Sequence, residues 1–453
     1  MIALFAAASV AASLHLTPCK IAGAPARCGT FDVRESPRSP RMLALKVIVL
    51  AAQEHNDAAI FPFSGGPGMA TTPGAEDEVR IFGAELRRHD VVLVDQRGTG
   101  GSAPLRCPAA QTKHARTLIE GDLFPLPFIR DCRQEIEKHN DLTAYGTAEF
   151  TDDVDALRRA LGYGAIDIVG MSYGTRSALT FLERHPDSVH TLLLEGPLPP
   201  DNLMPLYAGR DAELALGRIV ADCKAEAACA AAFPDVDLDL LRALTALDAT
   251  PARFGAGEYH VTMSRGEFGE FLRSQMYSAE RQRLIPLMIH RAAAGDWSWI
   301  GHYWLRYRDG WYDDIGAFLS ISCSGDIRWI GDAAIRAASA NTFPGDYRVR
   351  RQIAACKAWA PGRAPRVSIP AVDVPVLIVT GDRDPVTPPI WAMLLQSQLK
   401  RARTIVLSNN AHVEPSNCAR DLEIAFFDAG SFEYLDGSCA NQIPRAAFAT
   451  TLP

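Results

Sequence analysis

A serine sits at the centre of Gly170-Met171-Ser172-Tyr173-Gly174, between the apolar run Ala165 to Val169 and a helix-like segment, Thr175 to Arg184. Strand, tight turn and helix would lift the Ser172 hydroxyl clear of a sheet, above a helix N-terminus. A serine hydroxyl is a poor nucleophile at neutral pH. It needs a histidine base, and that base needs a carboxylate to fix its tautomer. After His302 the chain contains one further histidine, His412, on a short loop behind the strand-like Thr404 to Leu407. The preceding strand-like run, Val374 to Val379, leads into Thr380-Gly381-Asp382-Arg383-Asp384-Pro385. Its two carboxylates, Asp382 and Asp384, both fit the third role, and spacing does not separate them. Glu195, at the end of an earlier strand, is a more distant candidate. Acyl transfer also requires N–H donors for the developing oxyanion. One is the backbone N–H of Tyr173, directly after the serine. The other fits the glycine-rich loop after Phe61-Pro62-Phe63, namely Ser64-Gly65-Gly66-Pro67-Gly68.

These loops need a scaffold that brings them to one edge. Short apolar runs recur at Leu45 to Leu50, Ala58 to Phe63, Val91 to Val94, Ala165 to Val169 and Val189 to Leu194. Helix-like stretches alternate with the later runs. Thr151 to Leu161 has Thr151 as a cap, Asp152 and Asp153 in its first turn, and Val154, Leu157 and Leu161 on one face. Such alternation predicts a mostly parallel sheet with helices on both faces. After Pro197-Leu198-Pro199-Pro200 the texture changes. Helical stretches such as Asp211 to Ala232 and Glu267 to Ala294 dominate, with an aromatic group: Trp297, Trp299, Tyr303, Trp304, Tyr307, Trp311 and Tyr312. These aromatics are read mainly as packing. The strand–helix pattern resumes near Val374. The predicted division is an export signal over 1–13, a first core half over 14–200, a helical insertion over 201–350, and a second core half over 351–453.

Composition limits the partners. The 453 residues are 48% hydrophobic and carry a net charge of −7, without a Lys/Arg cluster, which argues against a nucleic-acid partner. The first thirteen residues form a short apolar run followed by small residues, the pattern of a secretory signal peptide, and no later run is long enough to span a bilayer. Ten cysteines fall into sequence neighbours: Cys19 with Cys28, Cys107 with Cys132, Cys223 with Cys229, Cys323 with Cys356, and Cys418 with Cys439. No C-x-x-C pair or zinc spacing occurs, so five local disulfides in an oxidising compartment, periplasmic or extracellular, are predicted, with no metal.

Taken in order, Gly65-Gly66-Pro67-Gly68, Asp95-Gln96-Arg97-Gly98-Thr99-Gly100-Gly101-Ser102, Gly170-Met171-Ser172-Tyr173-Gly174-Thr175 and Asp384-Pro385-Val386-Thr387-Pro388 carry a resemblance. The chain resembles the proline iminopeptidase and tripeptidyl aminopeptidase family of α/β-hydrolases, and more closely its secreted tripeptidyl branch. The resemblance implies an α/β-hydrolase fold with an inserted helical cap. It implies Ser172 as nucleophile, Asp384 rather than Asp382 as acid, and His412 as base. It assigns the second oxyanion donor to Gly66 and makes Asp95 to Ser102 a structural loop. The implied activity is an aminopeptidase that releases short N-terminal pieces through an acyl-enzyme, without a cofactor. Such an enzyme needs carboxylates for the substrate ammonium, and Glu195 and Asp326 are the candidates. Two departures stand out: Ala411 precedes the histidine where the family commonly has glycine, and Cys323-Ser324-Gly325-Asp326 lacks an acidic pair. An esterase or amidase with the same triad is the nearest alternative. A catalytically inactive fold used for binding is the alternative from another class.

Overall fold

The computed structural model describes residues 12–54, 59–359 and 362–452. Eleven strands occur among them: β1 (Ser13–Ile21), β2 (Ala24–Arg34), β3 (Met42–Leu50), β4 (Ala59–Phe63), β5 (Asp90–Val94), β6 (Ile166–Met171), β7 (Val189–Glu195), β8 (Ala252–Ala256), β9 (Tyr259–Met263), β10 (Val376–Gly381) and β11 (Ala402–Leu407). Nine form one sheet in the order β1-β2-β3-β5-β4-β6-β7-β10-β11. From β5 to β11 all neighbours are parallel, whereas β1, β2, β3 and β5 pair antiparallel. The central strands are apolar along their length because both faces are covered. Every residue of β4 and β10 is buried. One face packs in a core around Phe61, Phe63, Phe181 and Ile378, the other in a core around Leu93, Leu377 and Phe426.

Parallel order determines where the chemistry sits. The loops after β4, β6, β10 and β11 leave the same edge of the sheet, the usual ligand-binding edge of such folds. Register brings Phe63 of β4 opposite Gly170 of β6, so the glycine-rich loop and the serine turn emerge side by side.

Between β7 and β10 the chain forms a series of helices from Ala208–Ala225 to Tyr347–Trp359, together with the β8–β9 hairpin. This insertion has its own core, including Phe268, Phe271, Met288 and Trp304. Helices Pro108–Glu120 and Leu126–Ile136, which follow β5, lean on it: Trp304 Nε1 donates to the Ile119 carbonyl and Arg308 to those of Leu118 and Gly121. Five disulfides are present, in the sequence-neighbour pairing. Among the described residues no helix is long and apolar enough to cross a membrane.

Three local readings change. The helix predicted from Thr151 runs over Thr147–Leu161 with Gly146 as its N-cap. Thr151 lies inside it and donates its hydroxyl to the Ala148 carbonyl, a bond that satisfies the side chain without capping. Asp211 to Ala232 divides into two helices at Glu226, and Glu267 to Ala294 into three. The leader predicted over 1–13 falls almost wholly on residues 1–11, outside the described residues, and Ser13 already belongs to β1.

Candidate active site

Ser172 occupies the turn between β6 and helix Tyr173–Arg184 with φ 54° and ψ −118°. An L-residue held there stores roughly 1–3 kcal/mol of strain. The surroundings enforce it. Ser172 N–H donates to the Glu195 carbonyl (2.8 Å), while its own carbonyl accepts from the Thr175 N–H (3.0 Å) and hydroxyl (2.6 Å). The Thr175 hydroxyl also accepts from Leu198 N–H, which ties the turn to the segment after β7. The flanking glycines are required by space. A Cβ on Gly174 would lie 1.9 Å from the Phe63 carbonyl oxygen, and one on Gly170 would lie 2.8 Å from the Gly174 carbonyl.

His412 and Asp384 complete a line. His412 Nε2 lies 2.8 Å from Ser172 Oγ, and His412 Nδ1 lies 2.7 Å from Asp384 Oδ2. Asp384 is fully buried. It also accepts from the N–H groups of Val386 and Thr387 and from the Thr387 hydroxyl. Burial alone would raise its pKa. The His412 charge, with hydrogen bonds from His412 and Thr387, outweighs burial and lowers it. Asp382 does not reach the histidine: its neighbour is Arg383, whose guanidinium binds Asp222 of helix Ala208–Ala225. The acid-bearing loop is thereby joined to the insertion.

The glycine-rich loop is held by Asp95. That carboxylate accepts from the N–H groups of Thr71, Thr72 and Gly101 and from the Thr72 hydroxyl. Arg97 is buried against Asp153 in a two-pronged ion pair, both contacts 2.7 Å. The stretch Asp95 to Ser102 thus anchors the loop that carries Gly65 and Gly66. A Cβ at Gly65 would come within 3.0 Å of Ser172 Cβ. The Tyr173 N–H, first in its helix, is among the donors that have no intrahelical partner.

Above Ser172 lies a cavity of about 760 Å³, lined by the glycine-rich loop, Tyr173, His412 and residues of the insertion. Tyr307 and Trp311 of the aromatic group line it, while Trp299 and Trp304 are buried in the insertion's own core. Sequence reasoning missed several residues here. Tyr277 sets its ring edge-to-face against His412, with centroids 5.3 Å apart, and its hydroxyl accepts from Arg273. Arg273 in turn binds Glu270 through two nitrogens. The Glu270–Arg273 pair was visible as an i, i+3 spacing, but no sequence signal aims it at the serine. Thr387 was legible in principle, as a hydroxyl three residues beyond an acid.

Glu195 and Asp326 are not brought to this cavity. The Glu195 side chain is hydrogen-bonded to Glu423, whose pKa burial and the Glu195 charge push well above the usual carboxylate range. Asp326 accepts both oxygens' worth of contact from Arg176 Nη1 (3.0 Å each) and lines a separate small cleft. Both carboxylates already have partners, Glu423 for Glu195 and Arg176 for Asp326. Carboxyls that do line the cavity include Glu78 and Asp211. Burial first, then the Asp77 charge, raises Glu78 to about 7; burial raises Asp211 to about 6 against Arg210.

Comparison with known proteins bears on the fold. Residues 64–413 fit the profile of the alpha/beta hydrolase fold. The serine protease Hip1 of Mycobacterium tuberculosis is 28% identical over 242 residues, 47% of this chain and 45% of that protein. A proline iminopeptidase of Xylella fastidiosa is 28% identical over 132 residues (29% and 30% of the two chains). A tripeptidyl aminopeptidase of Streptomyces lividans is 25% identical over 158 residues (30% and 27%). The alignment thus spans less than half the length of the curated relatives. Among solved structures, a proline iminopeptidase from Mycobacterium smegmatis covers 88% of this chain and 98% of its own, with 16% identity and a TM-score of 0.38. A profile match reaching from the glycine-rich loop to the histidine loop, over more than half of the chain, makes this protein a member of the α/β-hydrolase family.

Proposed function

We propose that this chain is an exported serine peptidase of aminopeptidase type, releasing short N-terminal pieces from peptides. The observation that carries the reading is the continuous line from Ser172 Oγ through His412 to buried Asp384, opening into a capped cavity. Ser172 Oγ attacks the scissile carbonyl carbon as His412 Nε2 takes its proton. Asp384 holds the Nδ1 proton and stabilises the imidazolium. The N–H groups of Tyr173 and Gly66 receive the oxyanion, each contributing about 10²–10³ in rate. His412 passes the proton to the leaving amine, the C–N bond breaks, and an ester on Ser172 remains. Water, deprotonated by His412, hydrolyses it.

The names of the serine protease and aminopeptidase relatives favour peptides over simple esters. Five disulfides favour an oxidising compartment. For the substrate ammonium, Glu78 suits best. It lines the cavity, its carboxyl makes no hydrogen bond among the described residues, and burial together with the Asp77 charge outweighs Arg420 and raises it to about 7, a cost that an incoming cation would offset.

Two measurements test this. A fluorophosphonate probe labels the wild type and fails on Ser172→Ala; an unlabelled wild type overturns the enzyme reading. A panel of mono-, di- and tripeptide amides with free and blocked N-termini shows cleavage of the free forms. Glu78→Gln raises KM for these by about 10–100-fold, the effect of losing one charge-assisted contact. Equal cleavage of blocked and free substrates overturns the aminopeptidase assignment in favour of an esterase or amidase.

A further inference from the structure

The acyl-transfer chemistry leaves a group of cations in the cavity unused. Arg273, Arg281, Arg306 and Arg348 all line the space that holds Ser172. Arg273 and Arg348 share one carboxylate, Glu270, with contacts of 2.7 Å each. Two guanidiniums on one carboxylate leave a positive charge over. Arg281 and Arg306 add to it. They come from different helices, Ala279–Gln282 and Ile300–Arg308, and both side chains are exposed at the cavity. They are close enough to repel: burial and the like charge of Arg306 lower the Arg281 pKa. Among the described residues neither forms an ion pair within 4.0 Å. The acid that acts on Arg281, Glu414, turns its oxygens to the N–H groups of Ala279 and Ala411.

An isolated exposed arginine is ordinary. Two unpaired arginines converging on one cavity, beside a third uncompensated charge, pay electrostatic repulsion that an anion between them would reverse. Guanidinium forks match carboxylates in shape as well as charge. We propose that Arg281 and Arg306 bind a carboxylate of the substrate, remote from the scissile carbonyl, so that the site selects short peptides bearing a free carboxylate. The proposal rests on hydrolysis at Ser172. Two sources supply the same chemistry: the C-terminus of a short peptide, or an acidic side chain.

Matched tetrapeptides separate them: free acid against C-terminal amide, and internal Asp against Asn in the amidated series. The carboxylate-bearing member of the effective pair shows a kcat/KM higher by about 10–100-fold, mainly through KM. In Arg281→Gln/Arg306→Gln the ratio falls to about two or less, and in the wild type it shrinks as salt rises from about 0.05 to 0.5 M. If acid and neutral forms are cleaved alike, or the preference survives in the double variant, the proposal is overturned. Should no peptide be cleaved while esters are, the peptidase reading fails by itself. The arginines are then tested with 4-butyryloxybenzoate against 4-butyryloxybenzamide: a preference for the former, lost in the double variant, supports them, and equal turnover overturns them.

Discussion

Asp384 shows how much one buried carboxylate must do. It holds His412 by a single 2.7 Å contact and takes three further donors from its own loop, so its charge is fully hydrogen-bonded despite complete burial. Asp384→Asn retains the shape but presents the wrong hydrogen-bonding pattern to Nδ1, and kcat falls by about 10⁴ while KM changes little. Stopped assays on a single peptide amide measure this directly. The same residue predicts a pH effect on stability. Its folded pKa lies below the usual 3.8, so its contribution is present above that value and is lost as pH falls through the folded pKa. The gap between the urea midpoints of wild type and Asp384→Asn is therefore constant at neutral pH and begins to narrow as pH falls below about 4. A gap that stays constant as pH falls below the usual carboxylate range contradicts the ionised, bonded carboxylate.

At the scale of elements, disulfides hold the insertion and the sheet's edges in place. Cys323–Cys356 joins helix Ile315–Ser324 to helix Tyr347–Trp359, the two helices that close the insertion over the core. Removing it as Cys323→Ala/Cys356→Ala costs about 2–5 kcal/mol, read as a lower thermal midpoint. An unchanged midpoint would mean that packing around Trp359 suffices without the bond. Which elements were legible follows from their environment. β4, β6, β7 and β10 are buried on both faces, so their apolar runs stood out. The β1–β2 hairpin was missed because it lies at the sheet edge, half-exposed, with Pro18, Lys20 and Arg27 interrupting any alternation. Thr151 misled because a hydroxyl before acidic residues signals a cap, whereas here it bonds back inside the helix. Ser172, Asp384 and His412 were readable because each follows a strand of the parallel sheet, even though β11, before His412, is only partly buried. Glu78, Tyr277, Arg281 and Arg306 were not, since only tertiary packing, of helix Ala75–Ile81 for Glu78 and of the insertion for the others, turns them toward the cavity.

At the scale of the whole molecule, the site joins distant pieces of chain. Ser172 and His412 are 240 positions apart and touch at 2.8 Å, with the entire insertion threaded between them. Asp222 of the insertion binds Arg383 beside Asp384, so the insertion and the second half of the core meet at the same point. Contacts of such separation form late, after the loop-closure entropy of the intervening chain has been overcome. The consequence concerns timing. A chain still emerging from synthesis has no histidine beside Ser172 until β10 and β11 have docked. Covalent labelling of Ser172 through its histidine neighbour therefore counts only molecules whose last strands are home.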